Sequence, residues 1–150
     1  MRFRFVWIGK TKDKHWKALQ EEYLRRLSFF AKCDLAEIRE SAPHEGKEIE
    51  GKRILELLNQ KSLAVVLDPK GKQLTSDELA KQVERWRDTG RQEVTFVIGG
   101  PDGVASGVVE RADLRLSLSF LTFTHEMARV ILLEQLYRAF TIVKGFPYQK

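Results

Sequence analysis

The chain opens on an alternation: from Arg2 to Ile8 charged residues exchange places with aromatic and aliphatic ones, and the run stops at Gly9. A period of two predicts a strand. Between Lys14 and Phe30 the apolar positions Trp16, Leu19, Tyr23, Leu24, Leu27 and Phe30 recur mostly at steps of three and four, which is one face of a helix. A short alternating segment, Leu35 to Ile38, predicts a second strand, and Pro43 and Gly46 mark Ser41 to Lys47 as a loop. Ile49 to Leu58 reads as a helix. The unbroken apolar run Leu63 to Leu67 predicts a strand covered on both faces and ended by Asp68, Pro69, Lys70 and Gly71.

Thr75 and Glu78 have the spacing of a capping box, and Leu79, Val83 and Trp86 continue the buried stripe of the helix it starts. Val94 to Ile98 predicts a second buried strand, ending on Gly99 and Gly100. A short helix is expected over Val104 to Arg111. Leu114, Leu116, Leu118 and Phe120 then alternate with Arg115, Ser117 and Ser119 as a last strand, and Met127 to Val143 forms a long, heavily apolar helix. Strands and helices alternate from end to end. The expected class is therefore α/β, a mostly parallel sheet with right-handed crossovers and helices on both faces. Ligands of such sheets sit beyond the carboxyl ends of the strands, so chemistry is expected after Leu67, after Ile98 and after Phe120.

Composition narrows the class. A chain of 150 residues with 43% hydrophobic and 31% charged residues suits one soluble globular domain spanning 1–150, rather than a disordered or collagen-like chain. Its apolar runs fall far short of the roughly 20 residues that span a bilayer. Arg2 and Arg4 interrupt the first apolar letters and no small-residue cleavage site follows, which argues against a signal peptide. A lone cysteine, Cys33, leaves no internal disulfide and suits a reducing cytoplasm. Charge adds a direction: 26 Lys and Arg against 21 Asp and Glu leave +5, which favours polyanionic partners. Lys10, Lys12, Lys14 and Lys17 crowd the turn after the first strand, and Lys81, Arg85, Arg87 and Arg91 lie near a helix end. Either cluster alone reads equally well as a solvated face.

Three motifs carry candidate chemistry. In Gly99-Gly100-Pro101-Asp102-Gly103, the missing side chains would let backbone amides approach a ligand, although a plain tight turn fits the same residues. The spacing is neither G-x-G-x-x-G nor a P-loop, and Pro101 removes an amide, so adenine, ribose or a sulfonium suits the loop better than a triphosphate. His125, Glu126 and Arg129 read H-E-x-x-R, and arginine has no lone pair to replace the second histidine of a zinc site, so no metal is expected. Without other context His125 is an ordinary helix-surface residue, and Glu134 and Arg138 are a helix ion pair. Phe146 and Tyr148 in the tail suggest packing or stacking on a base.

Taken together, Val-Ile-Gly-Gly-Pro-Asp-Gly, then Leu-Ser-Leu-Ser-Phe-Leu-Thr-Phe-Thr-His-Glu-Met-Ala-Arg-Val, then Glu-Gln-Leu-Tyr-Arg-Ala-Phe and the closing Pro-Tyr are highly specific. With Ile8-Gly9-Lys10, Tyr23-Leu24-Arg25-Arg26 and Leu67-Asp68-Pro69-Lys70-Gly71, they make essentially the whole chain resemble the RlmH family of SPOUT-superfamily ribosomal RNA methyltransferases. The resemblance implies a C-terminal trefoil knot, a homodimer and S-adenosylmethionine (S-adenosyl-L-methionine) as methyl donor. It also implies methylation of N3 of a pseudouridine in the helix 69 loop of 23S rRNA on the assembled ribosome. Cofactor-binding loops of the family match Leu67, Gly99, Gly100, Ser119, Phe120, Leu121, Thr122, Phe123 and Thr124, at the three strand ends already singled out.

A uracil-type N3 carries a proton at neutral pH, so the reaction needs a proton acceptor and donors for the developing enolate oxygens. His125 is the candidate acceptor, Arg138 a candidate for phosphate or enolate contacts, and Tyr148 a candidate for stacking on or orienting the base. Lys10, Lys12, Lys14, Arg129 and Lys150 are expected to contact RNA. Where the family usually follows Pro-Tyr with His and a basic residue, this chain has Gln149 and Lys150, and glutamine takes no proton at neutral pH. The competing expectations are a non-catalytic basic RNA- or ribosome-binding α/β module, or a methyltransferase on another RNA.

Overall fold

Alternation along the first strand puts Phe3, Phe5 and Trp7 into one core and Val6 and Ile8 into another, so helices must cover both sides. The computed structural model, which describes residues 1–148, meets that demand with ten elements. These are β1 (Arg2–Ile8), α1 (Lys14–Leu27), β2 (Lys32–Ile38), α2 (Lys47–Leu57), β3 (Leu63–Gln73), α3 (Ser76–Asp88), β4 (Glu93–Ile98), α4 (Ser106–Arg111), β5 (Leu114–Ser117) and α5 (His125–Lys144). The five strands form one sheet in the order β2-β1-β4-β3-β5, and every neighbouring pair is parallel. Helices α1, α3 and α5 pack on the Phe3, Phe5 and Trp7 face, while α2 and α4 cover the Val6 and Ile8 face.

Several boundaries differ from the sequence pattern, each for a local reason. Helix α1 stops at Leu27 instead of Phe30, yet Phe30 still reaches the core and stacks on Phe140 at 5.0 Å. Helix α5 starts at His125 because Thr124 caps it, its hydroxyl accepting from Met127 N at 3.3 Å. Strand β5 ends at Ser117, and the chain turns out of the sheet there: Ser117 Oγ donates to Ser119 O at 3.1 Å and Leu121 N to Ser119 Oγ at 3.0 Å. The capping box of α3 is present, with Glu78 N to Thr75 Oγ1 at 3.1 Å and Thr75 N to Glu78 Oε2 at 2.7 Å.

Strand β3 does not stop at Leu67. It leaves the ladder over Asp68 to Gly71 and returns, so that Leu116 of β5 pairs with both Leu67 and Lys72. Glycine is required at position 71, where a Cβ would lie 2.6 Å from the Arg115 carbonyl oxygen. The Asp68 carboxylate holds the excursion, accepting from Arg115 Nη2 at 2.5 Å, Arg115 Nε at 3.1 Å and Lys70 N at 2.9 Å. Burial works against that carboxylate, but the bonds from Arg115 and Lys70 outweigh it and hold its pKa below the ordinary value.

Arg129 requires a correction. Expected to meet RNA phosphate, it has no solvent-exposed surface. It donates from Nη2 to the Ile8 carbonyl at 2.6 Å and from Nη1 to Thr11 Oγ1 at 2.9 Å, and its guanidinium carbon lies 5.0 Å from the centre of the Trp7 ring. A side chain enclosed in this way fastens the exit of β1 to α5 and cannot reach a phosphate. Burial lowers its pKa, an effect that the nearby carboxylates of Glu126, Glu37 and Glu40 oppose. Replacing Arg129 by Ala leaves the Ile8 carbonyl without its donor and opens a cavity over Trp7. The variant should lose about 3 kcal/mol of unfolding free energy in urea titration, and Arg129→Lys should recover part of it. A loss below about 0.5 kcal/mol would contradict the fastening role.

Candidate functional site

The point where β3 leaves the ladder after Leu67 lies beside the carboxyl ends of β4 and β5, and the first turn of α5 faces them across a cleft. Leu67, Ile98, Leu116, Leu118 and Ala128 make its walls apolar, while Asp68, Ser119, Thr122 and His125 bring polar atoms to it. The loop after β4 forms the remaining side with Gly99, Gly100 and Gly103. Gly103 N donates to Gly100 O at 3.0 Å and closes that loop on itself. A Cβ on Gly99 would lie 2.6 Å from the Gly103 carbonyl oxygen, so glycine there is demanded by the turn itself. At Gly100 the same atom would meet nothing nearer than Glu50 Oε1 at 3.4 Å.

Of the residues expected around a cofactor, Leu67, Gly99, Gly100, Ser119, Leu121, Thr122 and Phe123 line this cleft together with His125. Phe120 and Thr124 stand outside its lining: the Phe120 ring is 74% exposed, and the Thr124 hydroxyl serves as the α5 cap. The sequence pattern missed Asp68 and Pro69, which reach the cleft because β3 makes its excursion there. The sequence points to the segment after Leu67, but its turn residues read as the end of the strand and not as cleft lining.

Arg138 and Tyr148 belong to a second cluster. The Glu134 carboxylate accepts from Arg138 Nη2 at 2.5 Å and Nε at 3.0 Å, and from the Tyr148 hydroxyl at 3.1 Å. The Tyr23 hydroxyl lies 3.3 Å from that of Tyr148, whose ring meets Tyr137 edge-on at 4.8 Å with the Arg138 guanidinium 4.9 Å away. Burial and the bonds to Tyr23 and Glu134 raise the Tyr148 pKa, so the phenol stays protonated and acts as a donor. The Glu134–Arg138 pair thus has the helix spacing seen in the sequence, but it also holds the C-terminal tail. His125 opens α5 and Arg138 lies in its second half, about 20 Å of helix away. One chain therefore does not bring the two together.

Lys10, Lys12 and Lys14 are exposed around the connection from β1 to α1, with Lys12 Nζ 3.8 Å from Glu40 Oε1. In the other basic cluster Arg87 is paired with Glu84 at 3.7 Å and Asp88 at 3.1 Å. Lys150 lies outside the described residues. Burial, aided by Asp34, pushes the Cys33 thiol up to about 12, which disfavours the thiolate at neutral pH. Among the described residues no helix is long and apolar enough to cross a membrane.

A family model described as "Predicted SPOUT methyltransferase" matches residues 1–149. A protein of Geotalea daltonii named "Ribosomal RNA large subunit methyltransferase H" is 43% identical over 151 residues, covering 99% of each chain. One of the same name from Acetivibrio thermocellus is 40% identical over 159 residues, covering all of both. Among solved structures, a probable methyltransferase from Bordetella pertussis aligns with TM-score 0.58 at 14% identity, over 92% of this chain and 95% of its own. A putative methyltransferase from Legionella pneumophila, solved with SAM bound, aligns with TM-score 0.51 at 13% identity, over 93% of this chain and 66% of its own. At such identities these two show a shared fold.

The glycine geometry separates two neighbouring substitutions. Gly99→Ala should cost about 1–3 kcal/mol in urea unfolding by forcing the Gly103 carbonyl aside, whereas Gly100→Ala should cost less than about 1 kcal/mol. Equal losses would contradict the assignment of Gly99 to loop closure.

Proposed function

Since the chain belongs to the SPOUT methyltransferase family, we propose that it methylates N3 of a pseudouridine in the helix 69 loop of 23S rRNA on the assembled ribosome, with S-adenosylmethionine as donor. The observation that carries the reading is the cleft at the ends of β3, β4 and β5, which has His125 on its wall. Apolar walls suit an adenine, and the Gly99 to Gly103 loop brings bare backbone to the ligand's edge. Leu67, Gly100, Ser119, Leu121, Thr122 and Phe123 would hold the cofactor. When bound, it supplies an electrophilic methyl group.

His125 accepts the N3 proton of the base, which frees the nitrogen lone pair for bond formation. Arg138 offers a guanidinium, kept charged by its bonds to Glu134, for an enolate oxygen or a phosphate. Tyr148 stacks on or orients the base while remaining a donor. With His125 and Arg138 separated by about 20 Å of helix, one chain cannot complete this set. We therefore assign the site to a homodimer in which the partner supplies the Glu134-held cluster. Membership of the family also implies the C-terminal knot. Lys10, Lys12 and Lys14, exposed around the connection from β1 to α1, are the residues offered to phosphate.

His125→Ala should lower kcat by about 100-fold or more while leaving the calorimetric Kd for S-adenosylhomocysteine within about threefold. Equal loss of both, or loss of neither, would remove His125 from the proton-transfer role. A chain that binds neither S-adenosylhomocysteine nor S-adenosylmethionine would instead be a non-catalytic RNA-binding module. The shared site makes a second test possible. When inactive His125→Ala and Arg138→Ala proteins are mixed and allowed to exchange subunits, about a quarter of wild-type methylation should return, from the one intact site of each mixed dimer. No recovery would place both residues in a site formed by one chain.

A further inference from the structure

Glu126 follows His125 on α5, yet its carboxylate turns away to the opposite segment of the chain. One oxygen, Oε1, accepts from the backbone amides of both Lys12 and Asp13, the latter at 3.4 Å. On either side the connection from β1 to α1 is already tied down. Gly9 N donates to Ile38 O at 2.7 Å, Thr11 Oγ1 receives Arg129, and Asp13 Oδ1 caps α1 through His15 N at 2.8 Å and Trp16 N at 3.1 Å. The Lys12 amide falls between these ties, and Glu126 fills the gap.

We infer that Glu126 is a positioning residue that holds the lysine-bearing β1–α1 connection in its RNA-receiving shape from the first turn of α5, one residue from the His125 of the cleft wall. The inference rests on the reading that Lys10, Lys12 and Lys14 meet RNA. Two features fit it. Beyond the Asp13 cap the first turn of α1 contains no acidic residue and begins with Lys14, so the connection carries its cations up to the start of the helix. A carboxylate set among these lysines opposes RNA electrostatically, so its presence there calls for another role, and the two amide bonds supply one.

The charge effect and the positioning effect have opposite signs, which makes the test sharp. If Glu126 acted only through its charge, removing it would tighten binding to ribosomes. If it positions the connection, Glu126→Ala should weaken binding to assembled ribosomes about tenfold at fixed salt. Glu126→Gln, which keeps an acceptor oxygen, should bind at least as tightly as wild type. Calorimetric affinity for S-adenosylhomocysteine should stay within about twofold in both variants, which also reports that they are folded. Tighter or unchanged ribosome binding by Glu126→Ala, or parallel loss of both ligands, would overturn the inference. Replacing Lys10, Lys12 and Lys14 together by Gln distinguishes the two levels of failure. If that variant binds ribosomes as wild type does, the RNA reading of the lysines fails and the inference with it. If it weakens binding with a shallower salt dependence while Glu126→Ala does not, positioning alone fails.

Discussion

A guanidinium with no solvent contact, joined to a carbonyl and a hydroxyl and, among the described residues, to no carboxylate, is the interaction around which this fold is arranged. Arg129 belongs to the last helix and its acceptors to the end of the first strand and the connection after it. The bond network therefore closes the chain on itself across nearly its whole length. Its Nε has no hydrogen-bond partner among the described residues, so part of the desolvation cost of burying the charge stays uncompensated. Contact with the Trp7 ring and the field of Glu126, Glu37 and Glu40 offset some of it. The arrangement holds the start of α5, and hence His125, against the sheet.

From that fixed helix start the site follows by geometry. A parallel sheet presents all its strand ends on one side, and there β3, β4 and β5 each contribute a loop shaped by a local constraint. The Asp68–Arg115 pair holds the first, the Gly99 to Gly103 contact closes the second, and the Ser117–Ser119 bond turns the third outward. From the middle of α5, Glu134 gathers Arg138 and Tyr148, with Tyr23 beside them. One helix thus carries two groups of chemically useful side chains too far apart to act on one atom. This separation is why we propose a site shared between two subunits.

Most elements were legible because their signals are local. Period two in Arg2 to Ile8, the apolar runs at Leu63 and Val94, and the Thr75 and Glu78 pair each state their structure within a few residues. The errors fall where hydrogen bonds that the hydrophobic pattern does not encode decide. Phe120 continues an alternating pattern, yet the strand has already ended, since hydrogen bonds around Ser119 replace the ladder. Leu67 precedes Asp-Pro, yet β3 resumes beyond them because Leu116 can pair with Lys72 as well. Arg129 looked like one more surface cation because hydropathy carries no information about a carbonyl more than a hundred residues away.

The order of strands and helices, the two-sided core and the positions of the site loops were determined by the sequence, since backbone periodicity and turn chemistry act over a few bonds. Resemblance supplied the chemistry that those loops serve. Only the tertiary structure decided which members of H-E-x-x-R face the cleft and which hold the fold: His125 is on the wall, while Glu126 and Arg129 reach back to the first connection. Three residues within one turn of a helix differ in role because each points to a different neighbour, and those neighbours are brought there by the closing of the sheet.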